Sequence, residues 1–120
     1  MRNGNDEHDY RTVDDKKLRI VRECLRAIKN YPEHWRKFKD RSYDKNAFAL
    51  QTKSSTFRDR ILEQLVDYPP MSMGEFNMQI MGERGIMSSD RLLDFFYYRS
   101  IMFLKYDKEI GLKNGVKKKK

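Results

Sequence analysis

The chain has 120 residues, of which 38% are hydrophobic and 12% aromatic, enough for one folded domain and too many for an intrinsically disordered chain. Its 26 lysine and arginine residues outnumber its 18 acidic residues, which gives a net charge of +8, and its single cysteine excludes an internal disulfide framework and fits a reducing compartment. No apolar run reaches the roughly 20 residues of a membrane span, so we expect a soluble intracellular protein.

The positive charge is concentrated in one part of the chain. Residues 16–60 carry fourteen bases and five acids, and residues 113–120 add five lysines, whereas residues 1–15 and 61–112 each have a net charge of −3. A basic field of this kind attracts nucleic acid, an acidic protein or an anionic membrane surface. The charge alone does not choose among these partners.

The first half of the chain predicts an N-terminal arm followed by two helices. Residues 1–14 are polar and acidic, and we predict a flexible arm there. The first helix is predicted from about residue 15 to residue 30, because Pro32 disfavours helical backbone in the residue before it. Pro32 also suits the first turn of a second, strongly basic helix, which we expect to continue towards residue 51 with a break or kink around 42–44.

Two capping patterns mark the helices that follow. Thr56 with Asp59, and Ser72 with Glu75, have the three-residue spacing of a capping box at a helix N-terminus. The third helix is predicted to run to Tyr68, because Pro69–Pro70 ends it. The fourth helix, after Ser72, is predicted to be short.

The last helix is predicted from Ser88 or Ser89 to about Tyr106. It is apolar on nearly all sides, so we expect it to lie at the centre of the domain or to be partly covered by a partner. Residues 108–120 are rich in lysine and are predicted to form a disordered basic tail. The whole pattern predicts an all-α bundle of four to five helices over residues 15–107.

The sequence offers no pattern typical of catalysis or metal binding. His8 and His34 lie far apart, and neither has a second ligand at metal-binding spacing. The segment Gly82–Gly85 is too short for a phosphate-binding loop and is typical of a turn. Cys24 lies inside the first helix and is expected to be a packed residue. We therefore expect no enzyme activity, no metal site and no intrinsic cofactor.

The first helix carries two parallel stripes. The apolar stripe consists of Leu18, Val21, Leu25 and Ile28, and each of these is followed by a base. One interpretation is a core face beside a solvated face, which is the commoner case. The other is a docking surface for an acidic partner.

This stretch, LRIVRECLRAIKNYP, resembles the first helix of the LYR-motif family of small mitochondrial helical proteins. That family has an aliphatic residue followed by tyrosine and arginine, then a Leu-Arg pair, an aromatic residue near the helix end and a phenylalanine after a basic second helix. Val21 stands where the family has tyrosine. The positions that correspond to the pattern are Ile20, Val21, Arg22, Leu25, Arg26, Tyr31 and Phe48.

The resemblance implies an accessory subunit or assembly factor in the mitochondrial matrix that binds the acidic acyl carrier protein. The partner would supply an acyl-phosphopantetheine group, and the acyl chain would lie against Leu25, Ile28 and Phe48. Arg22 and Arg26 would lead the contacts, since arginine pairs well with carboxylates. The full set of expected partner-binding residues is Arg19, Arg22, Arg26, Lys29, Arg36, Lys37 and Arg41.

A basic nucleic-acid-binding module is the alternative interpretation. In the basic segment, Trp35, Phe38 and Tyr43 are interleaved with lysine and arginine. Aromatic rings can stack on bases while cations contact phosphates. This interpretation predicts a ribonucleoprotein subunit or a protein associated with viral DNA or RNA.

Overall fold

The computed structural model describes residues 2–42, 56–83 and 88–113, with side chains for 14–41, 56–82 and 88–112. Within these ranges every regular element is helical, which confirms the all-α prediction. The helices are α1 (Arg2–Asn30), α2 (Pro32–Ser42), α3 (residues 56–64), α4 (Met73–Gln79) and α5 (Ser89–Lys113), with a 3₁₀ turn at Met81–Glu83.

Two helices are longer than the sequence pattern predicts. The first helix begins at Arg2 rather than near residue 15, so residues 2–14 of the predicted arm are helical. No proline interrupts this segment, and without one the helix has no local reason to stop. Likewise α5 continues to Lys113, so residues 108–113 of the predicted tail are helical. The rest of that tail lies outside the described residues.

Pro32 separates α1 from α2 as predicted. Tyr31 is the one non-helical residue between them. Its N–H donates to the carbonyl oxygen of Ala27 at 2.9 Å, and its own carbonyl accepts from His34 N–H at 3.0 Å. These bonds satisfy backbone groups that a helix end leaves open, so the chain turns sharply without exposing them.

The prediction that the third helix runs to Tyr68 is wrong. Helical backbone ends at residue 64, and the N–H groups of Leu65 and Val66 donate to carbonyls three residues earlier, Leu62 and Glu63, at 3.0 and 3.2 Å. Such bonds tighten and close a helix. Tyr68 is 78% exposed. The helix thus ends five residues before Pro69, and residues 65–71 form a non-helical connection.

The predicted caps of the later helices are confirmed. Glu75 N–H donates to Ser72 Oγ at 3.1 Å, and Glu75 Oε1 accepts from Met71 N–H at 2.7 Å. For α5 the capping residue is Ser88, whose Oγ accepts from Arg91 N–H at 3.3 Å. Each cap satisfies backbone donors that the helix itself cannot pair.

The core forms where α5 packs against α1 and α2. The predicted apolar stripe of α1 is buried in full, and Cys24 beside it is a packed residue as expected. Burial raises the pKa of the Cys24 thiol from 9.0 to about 12. From α5, Phe103 meets Trp35 and Phe38 of α2 edge-on, with ring centroids 5.0 and 5.4 Å apart, a favourable aromatic geometry.

One ion pair is buried between α3 and α5. Arg99 Nη2 and Nε donate to the two carboxylate oxygens of Asp59 at 2.7 and 3.1 Å. The guanidinium also lies over the rings of Phe38, at 4.6 Å, and Trp35, at 5.8 Å. This bidentate pair links three helices, and it gives Asp59 a role that the capping pattern did not predict.

Candidate partner-binding groove

Two adjoining surface depressions run along α1, α2 and the connection 65–71. The first, of about 380 Å³, is lined by Ile28, Lys29, Pro32, Trp35, Arg36, Lys39, Glu63, Val66 and Asp67. The second, of about 230 Å³, is lined by Arg22, Arg26, Lys29, Val66, Asp67, Pro69 and Met71. Because they share Lys29, Val66 and Asp67, we treat them as one feature and name it the basic groove.

Helical spacing brings the bases of α1 to one wall of the groove. Arg22, Arg26 and Lys29 follow each other at steps of four and three, which places them on one face of the helix. The neighbouring face is the buried apolar stripe, so these bases lie at the edge of the core. The opposite wall is formed by the connection 65–71, which contributes Val66, Asp67, Pro69 and Met71.

The groove has a surplus of positive charge. Glu63, one of its two carboxylates, accepts a hydrogen bond from Trp35 Nε1 at 2.7 Å and pairs with Lys39. The other carboxylate is the exposed Asp67. Across the side chains that the structure describes, four groove bases take part in no ion pair. They are Arg22, Arg26, Lys29 and Arg36.

Apolar side chains lie between these bases. Ile28 and Trp35 are buried and form part of the floor, while Val66 is half-buried. At the other end of the groove Met71 is 65% exposed. Arginine stems can also cover apolar surface while the charged head stays in water. The groove therefore offers an apolar floor with a cationic rim.

The structure brings together four of the seven predicted partner-binding residues: Arg22, Arg26, Lys29 and Arg36. Arg19 and Lys37 are exposed but line neither part of the groove. Arg41 borders a separate depression against α5, where its guanidinium lies 4.9 Å from the ring centroid of Tyr106.

The three residues predicted to line an acyl channel have different positions. Leu25 is fully buried in the core, and Ile28 borders the groove floor. Phe48 lies outside the described residues. Sequence reasoning missed Lys39, Asp67 and Met71. Lys39 could have been predicted, because it lies three residues after Arg36 and so shares a helix face with it. Asp67 and Met71 belong to a non-helical connection, where no spacing of residues predicts which side chains share a face.

Two of the three aromatic residues expected to stack on bases, Trp35 and Phe38, are buried in the core. Trp35 and Phe38 are 3% and 5% exposed and pack against Phe103. Tyr43 lies outside the described residues. Trp35 and Phe38 therefore cannot stack on nucleic-acid bases in this fold, and the basic side chains are what remains to contact phosphates.

Other kinds of site have little support in the described ranges. No group of three or more histidine, cysteine or acidic side chains there is placed to hold a metal ion. His34 Nδ1 lies 2.7 Å from Asp107 Oδ1, which links α2 to α5. None of the described helices is both long and apolar enough to cross a membrane.

Comparison with known proteins returns no relative: no protein-family model, no curated protein and no solved structure matches the chain. The residues of the groove are therefore the basis for a functional proposal.

Proposed function

We propose that this chain is a non-enzymatic helical adaptor that docks an acidic protein helix in the basic groove. One observation carries the proposal: four bases of the groove, Arg22, Arg26, Lys29 and Arg36, surround an apolar floor and form no ion pair within the described ranges. Arginine and lysine in this state attract carboxylates, and the attraction strengthens when a partner excludes water.

The dimensions of the groove favour a helix as the ligand. Arg22 and Lys29 are seven residues apart on α1, which is about 10 Å, or two helical turns. Carboxylates at the same spacing on a partner helix would face these bases. Apolar side chains of the same helix could rest on Ile28 at one end of the groove and on Met71 at the other. Amphipathic helices bind grooves in this way, with anchors at helical spacing.

Acyl carrier protein is the specific partner we propose, because of the resemblance of α1 to the LYR-motif family. In that family the acidic helix meets the bases, and the acyl chain enters between helices. Here Ile28 at the groove floor is the first residue an acyl chain would reach. Leu25 is fully buried behind it, so the helices would have to separate for the chain to reach Leu25. A location in the mitochondrial matrix belongs to the same proposal.

A second exposed surface supports membership of a larger assembly. Tyr68, Met78 and Met81 are all more than half exposed and line no part of the basic groove. Methionine adapts its shape to different partners, and exposed apolar patches on small domains often mark contact surfaces. We propose that this surface contacts a further subunit while the groove holds the acidic helix.

The test is a titration of the chain with acyl carrier protein in its apo, phosphopantetheinylated and acylated forms, followed by calorimetry. Wild-type chain should bind, and the acylated form should bind most tightly because the acyl chain adds apolar contact. Reversing Arg22→Glu together with Arg26→Glu should weaken binding at least about tenfold, which corresponds to about 1.4 kcal/mol.

The matched control is Lys16→Glu with Lys108→Glu. Both lysines are exposed and line no part of the groove, and the double change gives the same net charge as the groove variant. We expect the control to bind within about threefold of wild type, since distant charges are screened over roughly 8–10 Å. An equal loss of affinity in both variants would show that binding depends on the overall positive charge and not on the groove. Absence of binding to all three forms would contradict the acyl carrier protein proposal.

Nucleic acid is the second candidate ligand, and the same four bases favour it. Binding to phosphates releases counterions, so the logarithm of the binding constant should fall linearly with the logarithm of the salt concentration. A fluorescence anisotropy titration with mixed-sequence RNA and DNA at several salt concentrations distinguishes this outcome. Tight, steeply salt-dependent binding, with no response to acyl carrier protein, would favour the nucleic-acid module.

A further inference from the structure

The outer face of α5 carries apolar side chains that remain exposed in the folded chain. Tyr98, Ile101 and Met102 are 61%, 40% and 54% exposed, whereas Phe96 and Phe103, on the opposite side of the helix, are fully buried. The apolar character of α5 on nearly all sides is thus explained by two faces, of which only one belongs to the core. The other is the kind of surface that typically lies in an interface.

The order of residues along this face is symmetric. Met102, Lys105, Glu109 and Leu112 follow at steps of three, four and three, so they share one side of the helix. We name these four residues the α5 stripe. Its ends are apolar and its centre holds one base and one acid. Neither Lys105 nor Glu109 takes part in an ion pair with a described residue.

We propose that two copies of the chain associate through the α5 stripe, with the two α5 helices antiparallel around a twofold axis near residue 107. In this arrangement Lys105 of each copy faces Glu109 of the other, and Met102 faces Leu112. A twofold interface uses the same patch on both subunits and must be complementary to itself. The stripe meets that condition in both charge and apolarity, and the charge pairs fix the register.

A depression of about 420 Å³ extends along the same face. Three of the four stripe residues line it, together with three neighbours: Phe38, Arg41 and Tyr106. Side chains of the second copy can enter it and cover the exposed edge of the core. No residue of the stripe lines the basic groove, so this association does not depend on the proposed binding of an acidic helix.

The interface is small, so the dimer is expected to be weak. With the axis near residue 107, the two helices overlap over residues 101–113, a rise of about 18 Å, and one helix pair of that length buries less than the roughly 800 Å² per partner of a standard interface. The dissociation constant should fall in the micromolar range. Sedimentation velocity of the full chain from about 1 to 300 µM covers this range.

The experiment compares the wild-type chain with Lys105→Glu, Glu109→Lys and an equimolar mixture of the two. Wild type should shift from monomer to dimer as concentration rises. In a dimer of either single variant, like charges face each other at both positions where the wild type has an ion pair. The dissociation constant should therefore rise at least about tenfold, which corresponds to about 1.4 kcal/mol of binding free energy. The mixture should regain the dimer, because one chain then presents two acids and the other two bases. Dimerisation of the wild type that each single change weakens and mixing restores indicates the antiparallel register, because a parallel pair would place like charges opposite each other already in the wild type.

Arg91→Glu provides the matched control. Arg91 is exposed on the same helix about 21 Å before Lys105, beyond the overlap of the two copies, and the change in charge is the same as in Lys105→Glu. This variant should dimerise like wild type, and circular dichroism should give unchanged helicity for every variant. A wild-type chain that is monomeric throughout overturns the proposal. So does a dimer that survives both single variants, or a mixture that stays monomeric.

Discussion

Arginine has opposite environments in two regions of this molecule. In the interior, Arg99 is buried, holds both oxygens of Asp59 and lies over Phe38. In the basic groove, Arg22 and Arg26 have no ion-pair partner among the described residues. The buried Arg99 is thus paired within the chain, whereas these two groove arginines form no ion pair among the described residues.

This difference separates the role of a charge in stability from its role in binding. A buried charge must be paired, because an uncompensated ion in a low-dielectric interior is very costly. An exposed charge is solvated and contributes little to folding whether it is paired or not. The two regions therefore predict different responses to the removal of a single charge.

The largest effect is expected for Asp59→Ala. The change leaves the buried Arg99 guanidinium without its carboxylate, which typically costs about 3–5 kcal/mol of unfolding free energy. That is a large part of the total of about 5–15 kcal/mol for a domain. Urea unfolding checks it, with fluorescence of the single tryptophan, Trp35, as the reporter, since its ring lies 5.8 Å from the Arg99 guanidinium carbon.

Two further variants test the cause. Asp67→Ala removes an exposed carboxylate of the groove and should change stability by less than about 0.5 kcal/mol. Asp59→Leu combined with Arg99→Met replaces both charges of the buried pair and should regain most of the loss, because buried pairs are often no better than apolar packing. Similar losses of unfolding free energy for Asp59→Ala and Asp67→Ala would show that the buried carboxylate is no more important for stability than the exposed one.

Cys24 gives the interior a pH dependence. Burial raises the pKa of its thiol from 9.0 to about 12, so between these values the native state keeps a proton that the unfolded state has lost. The contribution is complete below about pH 9 and is lost as the pH rises towards 12. Stability should fall in that window by up to about 1.4 kcal/mol per pH unit.

Cys24→Ala isolates this contribution from other groups that titrate in alkali. Urea unfolding of both proteins at several pH values from 8 to 11 gives the difference. The wild-type chain should lose stability faster than the variant above about pH 9, because only the wild-type chain carries the thiol. Parallel curves would show that the thiol is not held in its protonated form by burial.

The sequence predicted the part of this fold that depends on local periodicity. The stripe Leu18, Val21, Leu25 and Ile28 is buried as expected, and the caps at Ser72 and Ser88 are in place. These features depend on residues within one or two helical turns. The start of α1 at Arg2 differs from the predicted start near residue 15, because a polar composition does not by itself prevent helical backbone.

Contacts between residues far apart in the chain could not be predicted from local sequence patterns. Asp59 fits a capping pattern locally, yet its carboxylate binds Arg99, forty residues later. For the same reason, only one of the two walls of the groove could be predicted. Its α1 wall follows from the spacing of Arg22, Arg26 and Lys29, but its other wall is a non-periodic connection that reaches α1 only through the tertiary fold.

An intermediate effect is expected at the boundary of the two regions, for Lys39→Ala. Lys39 pairs with Glu63 at the edge of the groove, where both side chains are about one quarter to one third exposed. Partly exposed pairs contribute about 1 kcal/mol or less, and Glu63 keeps its bond from Trp35 Nε1. Chemical denaturation should therefore give a loss well below that of Asp59→Ala. A loss of several kcal/mol would show that the Lys39–Glu63 pair stabilises the fold as strongly as the buried Asp59–Arg99 pair.

The smallest effect on stability is expected for Arg22→Ala with Arg26→Ala. Neither side chain is ion-paired with a described residue, and alanine favours the helix at least as well as arginine. The unfolding free energy should stay within about 0.5 kcal/mol of wild type, while binding to the acidic partner decreases. Urea unfolding and calorimetry on the same samples measure both. A marked loss of stability would mean that these arginines stabilise the fold as Arg99 does, and it would contradict the proposal that they are available to bind a partner.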